Sequence, residues 1–270
     1  MIVTVNKETA VRNLTESIVE HCGEIIEIKQ CGIEFFCKPQ QDIRNHRMIK
    51  YIIRDMAAYE VVSADTSFVN ECLAYIADLE LPKFTLYLPS WYTLSTWPFK
   101  EYDVEKTSTY ADFILPEEYA FDLLEEQKNI KLLEEKDLDL ASGFSLVEAI
   151  SGRPSFEALF GAIVLQNSLP GGGKIFAYLK ENQIVAYLSC FLFEETIYDI
   201  DHVYVLPQYR KQGIAKSLVK HYIKSTITAG KIPRYGNAEN QNSMMLAKKS
   251  GFVEVKCQDK YILKKSRTNR

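Results

Sequence analysis

Between Ile197 and Ala229 the spacing of apolar positions changes period. Ile197–Val205 is dense in β-branched and aromatic residues, which predicts a strand. Pro207 ends it, because proline has no N–H to give to a ladder. From Ile214 to about Ala229, the positions Ile214, Leu218, Val219, Tyr222 and Ile223 recur at helical spacing. Upstream, Ile130–Leu133 reads as a strand. A helical region begins at Asp137 with Leu138, Leu140, Phe144 and Val147, and a second helix, Phe156–Leu165, follows Pro154. Ile175–Lys180 and Ile184–Phe193 form a hairpin across Glu181-Asn182-Gln183. Downstream, Gly230 and Pro233 stop the long helix and Arg234–Ala238 is a strand. Asn240–Ser243 is a polar entry to a helix over Met244–Lys249, and Gly251-Phe252 opens a return strand through Val255.

The N-terminal half is patterned less sharply. Lys7–Cys22 reads as a helix closed by Gly23, followed by strands Glu24–Gln30 and Ile33–Cys37 around Cys31-Gly32. Ile43–Tyr59 reads as a helix with Ile49, Ile52, Ile53 and Met56 inward. Ser63–Ser67 carries cap chemistry, Phe68–Leu79 is a helix, and Phe84–Leu88 is a strand after Pro82. Trp91–Trp97 holds both tryptophans and reads as a packing segment.

Composition adds bounds. An apolar share of 47% suits a chain of 270 residues that buries a core, in one or two domains. No apolar run reaches membrane-spanning length, and the first residues lack a basic stretch followed by an apolar one. The expectation is a soluble, cytoplasmic protein with no membrane partner. The six cysteines are scattered, with no CxxC pair and no Cys/His metal spacing, so the reading is reduced thiols and no metal. Charge is uneven. The chain carries −4 overall, yet residues 206–270 hold 15 Lys/Arg against 3 Asp/Glu. A basic end of that kind attracts a polyanion. With no interleaved aromatic platform or nucleic-acid motif in it, nucleic acid ranks well below a small phosphorylated ligand.

The loop between strand and long helix carries the chemistry. A helix N-terminus leaves N–H groups unpaired and bears partial positive charge, which suits phosphate. Gly213 lets the backbone approach an anion, Ala215 keeps the next turn narrow, and Arg210, Lys211 and Lys216 add charge. Leu169–Lys174 has glycines and a lysine but lacks the P-loop spacing, and reads as a flexible loop.

Arg210-x-x-Gly213-x-Ala215, after the V-x-V-x-P strand end, resembles the pyrophosphate loop of the GNAT N-acetyltransferase superfamily. Asn240-x-x-Ser243-x-x-Leu246 leading to Gly251-Phe252 is similar to that family's second motif, and the order of elements matches over roughly residues 128–265. The resemblance implies an α+β fold with a mixed sheet in the C-terminal half, and acetyl-CoA as co-substrate. It implies an acceptor amine, on a small molecule or peptide, that attacks the thioester directly. Backbone groups of Val203, Tyr204 and Val205 would face the cofactor, with an N–H near Val205 polarising the thioester carbonyl. Gln212, Gly213, Ile214, Ala215 and Lys216 would hold the pyrophosphate beside Arg210 and Lys211. Asn240 would contact the pantetheine arm; for Asn242 and Ser243, helix capping is an equal reading.

A general base is useful to such a reaction, and the candidates are Glu194, Glu195, Asp199, Asp201 and His202. Alternation puts Asp199 and Asp201 on one face of the strand and His202 on the other. The family's acid tyrosine maps to Ala247, which has no proton to give, so Tyr204 and Tyr209 are the nearby substitutes.

A faint repeat accompanies this. Leu81-Pro82-Lys83-Phe84 resembles Ile232-Pro233-Arg234-Tyr235, Pro98-Phe99 sits near the place of Gly251-Phe252, and Tyr110–Leu115 resembles Tyr261-Ile262-Leu263. It suggests that the N-terminal α/β half is a degenerate copy without the phosphate loop. The domain reading is 1–115, a connection over 116–127, the GNAT-like domain over 128–265, and a disordered tail over 266–270. Two functions stay in play, an N-acetyltransferase and a non-catalytic acyl-CoA-binding sensor or scaffold. The acceptor is unspecified, and homo-oligomer formation is open.

Overall fold

A computed structural model describes residues 2–6, 9, 10, 12, 33–39, 41–53, 55–92, 98–116, 119, 129–137, 139, 140, 144, 172–193 and 196–266. The expected strand Glu24–Gln30 and helix Phe156–Leu165 lie outside these residues, as do Glu194, Glu195 and most of Trp91–Trp97. The chain divides into two units, Met1–Asp112 with Ala238–Asn240 and Val255–Arg270, and Phe113–Asn237 with Gln241–Glu254.

In the first unit the strand order is β1 (Val3–Val5), β2 (Glu34–Cys37), β3 (Arg47–Ile53), β4 (Met56–Val62), β5 (Lys83–Pro89), β12 (Val253–Lys265) and β6 (Tyr102–Ile114). β1 to β4 are antiparallel neighbours, whereas β4 and β5 run parallel and are connected by helix α1 (Thr66–Ala77). Alternate residues of the strands meet one stripe of this helix. Phe68, Val69, Cys72, Leu73 and Ile76 pack with Met48, Tyr59, Val61, Phe84, Leu86, Leu88, Tyr261 and Leu263. Burying each large apolar side chain is worth about 1.5–3 kcal/mol. Asp65 caps α1, its carboxylate accepting from Ser67 N at 2.8 Å.

The helix expected over Ile43–Tyr59 is instead the β3–β4 hairpin, with Tyr51 opposite Ala58 and Asp55 at φ 65° in the turn. The misreading has a physical source. Met48 and Ile49 point to opposite faces and are 0% and 1% exposed, and Ile52 further along is apolar yet 53% exposed, so this strand lacks the polar alternation of a half-buried one.

In the second unit β7 (Ile130–Leu132), β8 (Gly173–Lys180), β9 (Gln183–Phe193) and β10 (Ile197–Val205) form an antiparallel run. β10 then pairs in parallel with β11 (Ile232–Ala238) through helix α2 (Ile214–Thr228). Glu181 and Asn182 take φ 52° and 60°, the left-handed pair that a two-residue hairpin turn requires. Leu218, Val219, Tyr222 and Ile223 bury one face of α2 completely. Both units therefore repeat one plan: an antiparallel run, a helix, then a parallel strand. Tyr110 and Tyr261, paired in the faint sequence repeat, occupy the ninth positions of the 13-residue strands β6 and β12.

Several boundaries differ from the sequence reading. β11 begins at Ile232 rather than Arg234, so Pro233 sits second in it, near the start of a strand, where a missing N–H is tolerated. Helix α3 begins at Gln241 rather than Met244, so Gln241-Asn242-Ser243 form its first turn. Gly173-Lys174, read as loop, open β8, and the return strand runs on to Lys265. Ser266 is held as well, its N–H donating to Glu101 O at 2.7 Å.

Candidate active site

The site grows from the way β10 and β11 part. Their parallel register joins Ile197 to Ile232, Tyr198 to Pro233 and Asp199 to Arg234, and goes no further among the described residues. β10 continues for six more residues, paired there among the described residues with β9 alone. The side chain of Asp199 stands at the fork. One carboxylate oxygen takes the Gly236 N–H at 2.9 Å, and the other is ion-paired with the Arg234 guanidinium, itself 1% exposed. A Cβ on residue 236 would lie 2.7 Å from this carboxylate, so only glycine lets the strand come so close. Asp199 is thus committed to holding the fork. Below it, the fully buried Tyr222 donates to Tyr198 O and accepts from Arg234 N at 3.0 Å, locking α2 to both strands. Burial pushes the Tyr222 phenol well above its ordinary pKa.

Beyond the fork, one edge of β10 is open. Leu206 N donates to Val185 O at 3.0 Å, continuing the β9 ladder. In an antiparallel pair the ladder groups come from alternate residues, so the Tyr204 N–H also belongs to β9, and those of Val203 and Val205 point to the open edge. The carbonyl of Val205 on that edge accepts from Arg210 Nε at 2.9 Å.

A short 3-10 turn, Pro207–Tyr209, carries the chain to α2. Lys211 takes φ 62° and Gly213 takes φ 80°, a conformation that a Cβ strains, and no atom lies within 4 Å of where a Cβ on Gly213 would stand. Gly213 is the N-cap of α2 and offers no side-chain cap, and the first turn contains no acidic residue. The amides of Ile214, Ala215 and Lys216 therefore open outward, beside the exposed Arg210, Lys211 and Lys216. Gln212 is turned back, its amide donating to Gln208 O at 3.3 Å. The contrast with α1 is physical: there Asp65 fills the corresponding position with its own negative charge, so of these two helices it is α2 that leaves room for a phosphate.

On β10 the alternation is broken by a bulge between Ile200 and His202, which inserts Asp201. The exposed Asp201 accepts from Ser189 Oγ at 3.3 Å. His202 Nδ1 lies 2.6 Å from the hydroxyl of Tyr187, a β9 residue that is 2% exposed. The His202 ring stacks on Tyr204 at 6.3 Å, and Phe144 stands edge-on to both Tyr187 and Tyr204. The Tyr204 hydroxyl is buried with no hydrogen-bond partner among the described residues, and the Arg210 guanidinium lies over the Tyr204 ring. Tyr209 instead carries the Lys180 ammonium on its ring.

The sequence reading did not single out Tyr187. Its signal is the register, which sets it directly opposite Tyr204. On α3, Ala247 is fully buried, and Ser243 shares a hydrogen bond with the Tyr235 hydroxyl at 2.9 Å. Asn240 is exposed in the turn before α3. Among the described residues no group of three or more His, Cys, Asp and Glu side chains could hold a metal, and no helix is long and apolar enough to cross a membrane.

Comparison with known proteins gives this geometry its context. The sequence profile of the Acetyltransferase (GNAT) family matches residues 145–252. A GCN5-related N-acetyltransferase from Sphaerobacter thermophilus is similar in fold at 12% identity and TM-score 0.60, covering 97% of this chain and 94% of that one. An acetyltransferase of the GNAT family from Colwellia psychrerythraea gives 14% identity and TM-score 0.56 over 98% and 100% of the two chains. A tandem GNAT protein from the clavulanic acid biosynthesis pathway gives 7% identity and TM-score 0.52 over 100% and 99%. No curated protein matches the sequence. The forked strands and the uncapped helix lie within residues 145–252, the part of this chain that is similar to the GNAT acetyltransferase family.

Proposed function

We propose that the protein is an N-acetyltransferase that moves an acetyl group from acetyl-CoA to an amine of a small molecule or peptide by direct attack. The observation that carries this reading is the pairing of an open β10 edge with an uncapped, acid-free N-terminus on α2. The residues fit the co-substrate. The amides of Gly213 to Lys216 and the side chains of Arg210, Lys211 and Lys216 would hold its pyrophosphate. The side-chain amide of Gln212 would need to turn from Gln208 to join them. Acetyl-CoA supplies an activated acyl carbon: the acceptor nitrogen bonds to it, the carbon–sulfur bond breaks, and the thiolate takes up a proton.

The N–H of Val205 is the donor aimed at the developing oxyanion, with that of Val203 further along the edge. His202 would take the proton of the incoming amine. Tyr204, whose buried hydroxyl has no partner among the described residues, would return a proton to sulfur, the role that the buried Ala247 cannot fill. Asp201 and Glu195 remain alternative bases, and Asn240 and Ser243 alternative contacts for the pantetheine arm. The first unit would serve as a degenerate copy of the same fold, its α1 terminus closed by Asp65.

The test is coenzyme A release from acetyl-CoA with a panel of amines. Release that depends on the amine and is lost in Gly213→Glu supports the proposal. Ala247 motivates a second reading, a non-catalytic acyl-CoA sensor, which would bind acetyl-CoA tightly and release nothing with any amine. The expected setting is the cytoplasm, without a membrane or nucleic-acid partner.

A further inference from the structure

Arg210 is exposed, yet its side chain is turned back onto the strand it follows. Its Nε–H donates to Val205 O at 2.9 Å, across the 3-10 turn Pro207–Tyr209. Its backbone N–H closes the same turn, donating to Pro207 O at 3.3 Å. Its guanidinium carbon lies 5.7 Å from the centre of the Tyr204 ring. One side chain at the start of the anion loop therefore touches both Tyr204 and Val205. We propose that Arg210 is a positioning residue for acetyl transfer: it clasps the end of β10 to the anion loop and covers the Val205 carbonyl that shares the open edge with the Val205 N–H. The proposal rests on the acetyl-transfer reading for its role in the reaction.

The open edge of a strand presents carbonyls as well as N–H groups. Val205 turns both toward the edge of β10, so the dipole that favours a developing oxyanion has an opposing one within the same residue. A bare carbonyl oxygen there would repel that negative charge. A charged donor on the carbonyl takes up a lone pair and sets a positive charge beside it, so the edge as a whole turns toward anions. The same bond spans the turn and fixes the direction in which the chain enters the anion loop. The cation over its ring ties the Tyr204 side chain to the clasp as well. Arginine suits this place because its guanidinium is a rigid fork of several N–H groups. One can stay on Val205 while others meet a phosphate. Lysine carries its charge on one compact nitrogen at the end of a flexible stem. A lysine at position 210 keeps the charge that a phosphate needs and gives up the fixed clasp. That substitution separates the proposed role from simple phosphate binding.

The test compares the wild type with Arg210→Lys. Calorimetry with acetyl-CoA gives Kd, and coenzyme A release at saturating acetyl-CoA with the amine panel gives kcat. A side chain that only grips phosphate acts on Kd and leaves kcat at saturation unchanged. The expected result is a kcat lower by about tenfold or more in Arg210→Lys, with Kd close to that of the wild type. Wild-type kcat in Arg210→Lys overturns the proposal. A second measurement needs neither turnover nor a folded variant. In the substrate-free wild type, nitrogen-15 spectra should show an Arg210 Nε–H that exchanges slowly with water and couples through the hydrogen bond to the Val205 carbonyl carbon. An Arg210 Nε–H that exchanges as fast as that of free arginine overturns the clasp. Absence of turnover in the wild type with every amine would count against the acetyltransferase reading, and the exchange measurement would still decide the clasp.

Discussion

Replacing Val205 with proline removes one N–H and little else, because that N–H lies on the open edge of β10 and outside the β9 ladder. Tyr204→Pro takes away a ladder donor instead and leaves a carbonyl of β9 unpaired, at a cost of about 1–3 kcal/mol. Val205→Pro should therefore fold with a melting temperature close to that of Val205→Ala, while Tyr204→Pro melts clearly lower. The catalytic consequence runs the other way. Losing one donor to the developing oxyanion costs about 10²–10³ in kcat, or roughly 2.7–4 kcal/mol. Val205→Ala keeps the amide and should turn over like the wild type. The assay is amine-dependent coenzyme A release at saturating acetyl-CoA, with calorimetry confirming that Val205→Pro still binds the co-substrate. A Val205→Pro enzyme with the kcat of Val205→Ala would refute the assignment of this N–H to the oxyanion.

Other consequences follow from the same geometry. Tyr222→Phe leaves the Tyr198 and Arg234 backbone groups without their bridge, and should lower stability by about 1–3 kcal/mol in urea unfolding. Asp65→Ala removes the α1 cap and should cost about 1 kcal/mol, without changing acetyl-CoA affinity. Burial raises the carboxyl pKa of Asp137, but Lys131 at 2.6 Å and the Glu134 N–H outweigh it and hold the pKa below the usual carboxylate value. Stability from this group is therefore complete above the unfolded carboxyl pKa and is lost as pH falls through the folded one, so Asp137→Asn should flatten the acid limb of the unfolding profile. Cys190 is fully buried and its thiol is pushed up to about 12, so it should resist alkylation in the native protein at pH 8 and react once unfolded.

How legible the site was in sequence depends on how local each feature is. Gly213, Ala215 and the flanking cations act through the turn they themselves form, so their spacing announced the open helix terminus. The extent of β10 was readable for the same reason, from its β-branched run and Pro207. The role of Asp199 was not, because it depends on Arg234 and Gly236, more than thirty residues on, and on a register that no local pattern encodes. Tyr187 was hidden likewise, and the bulge at Asp201 defeated an argument from strict alternation. The β3–β4 hairpin was misread because apolar residues on both faces of β3, Met48 and Ile52 on one and Ile49 on the other, erase the period that distinguishes a strand from a helix.

The central claim is that the open terminus of α2 binds the pyrophosphate of acetyl-CoA, and calorimetric titration of the wild type beside Gly213→Ala and Gly213→Glu tests it. Both variants share the strain of a side chain at φ 80°, with space for the Cβ, but only glutamate adds a charge at the anion site. A like charge about 4 Å from phosphate near a protein surface costs about 1–4 kcal/mol. Binding is expected for the wild type and for Gly213→Ala, with a loss of about fivefold to a thousandfold in Gly213→Glu. Equal affinity in all three, or no binding by the wild type, would contradict it.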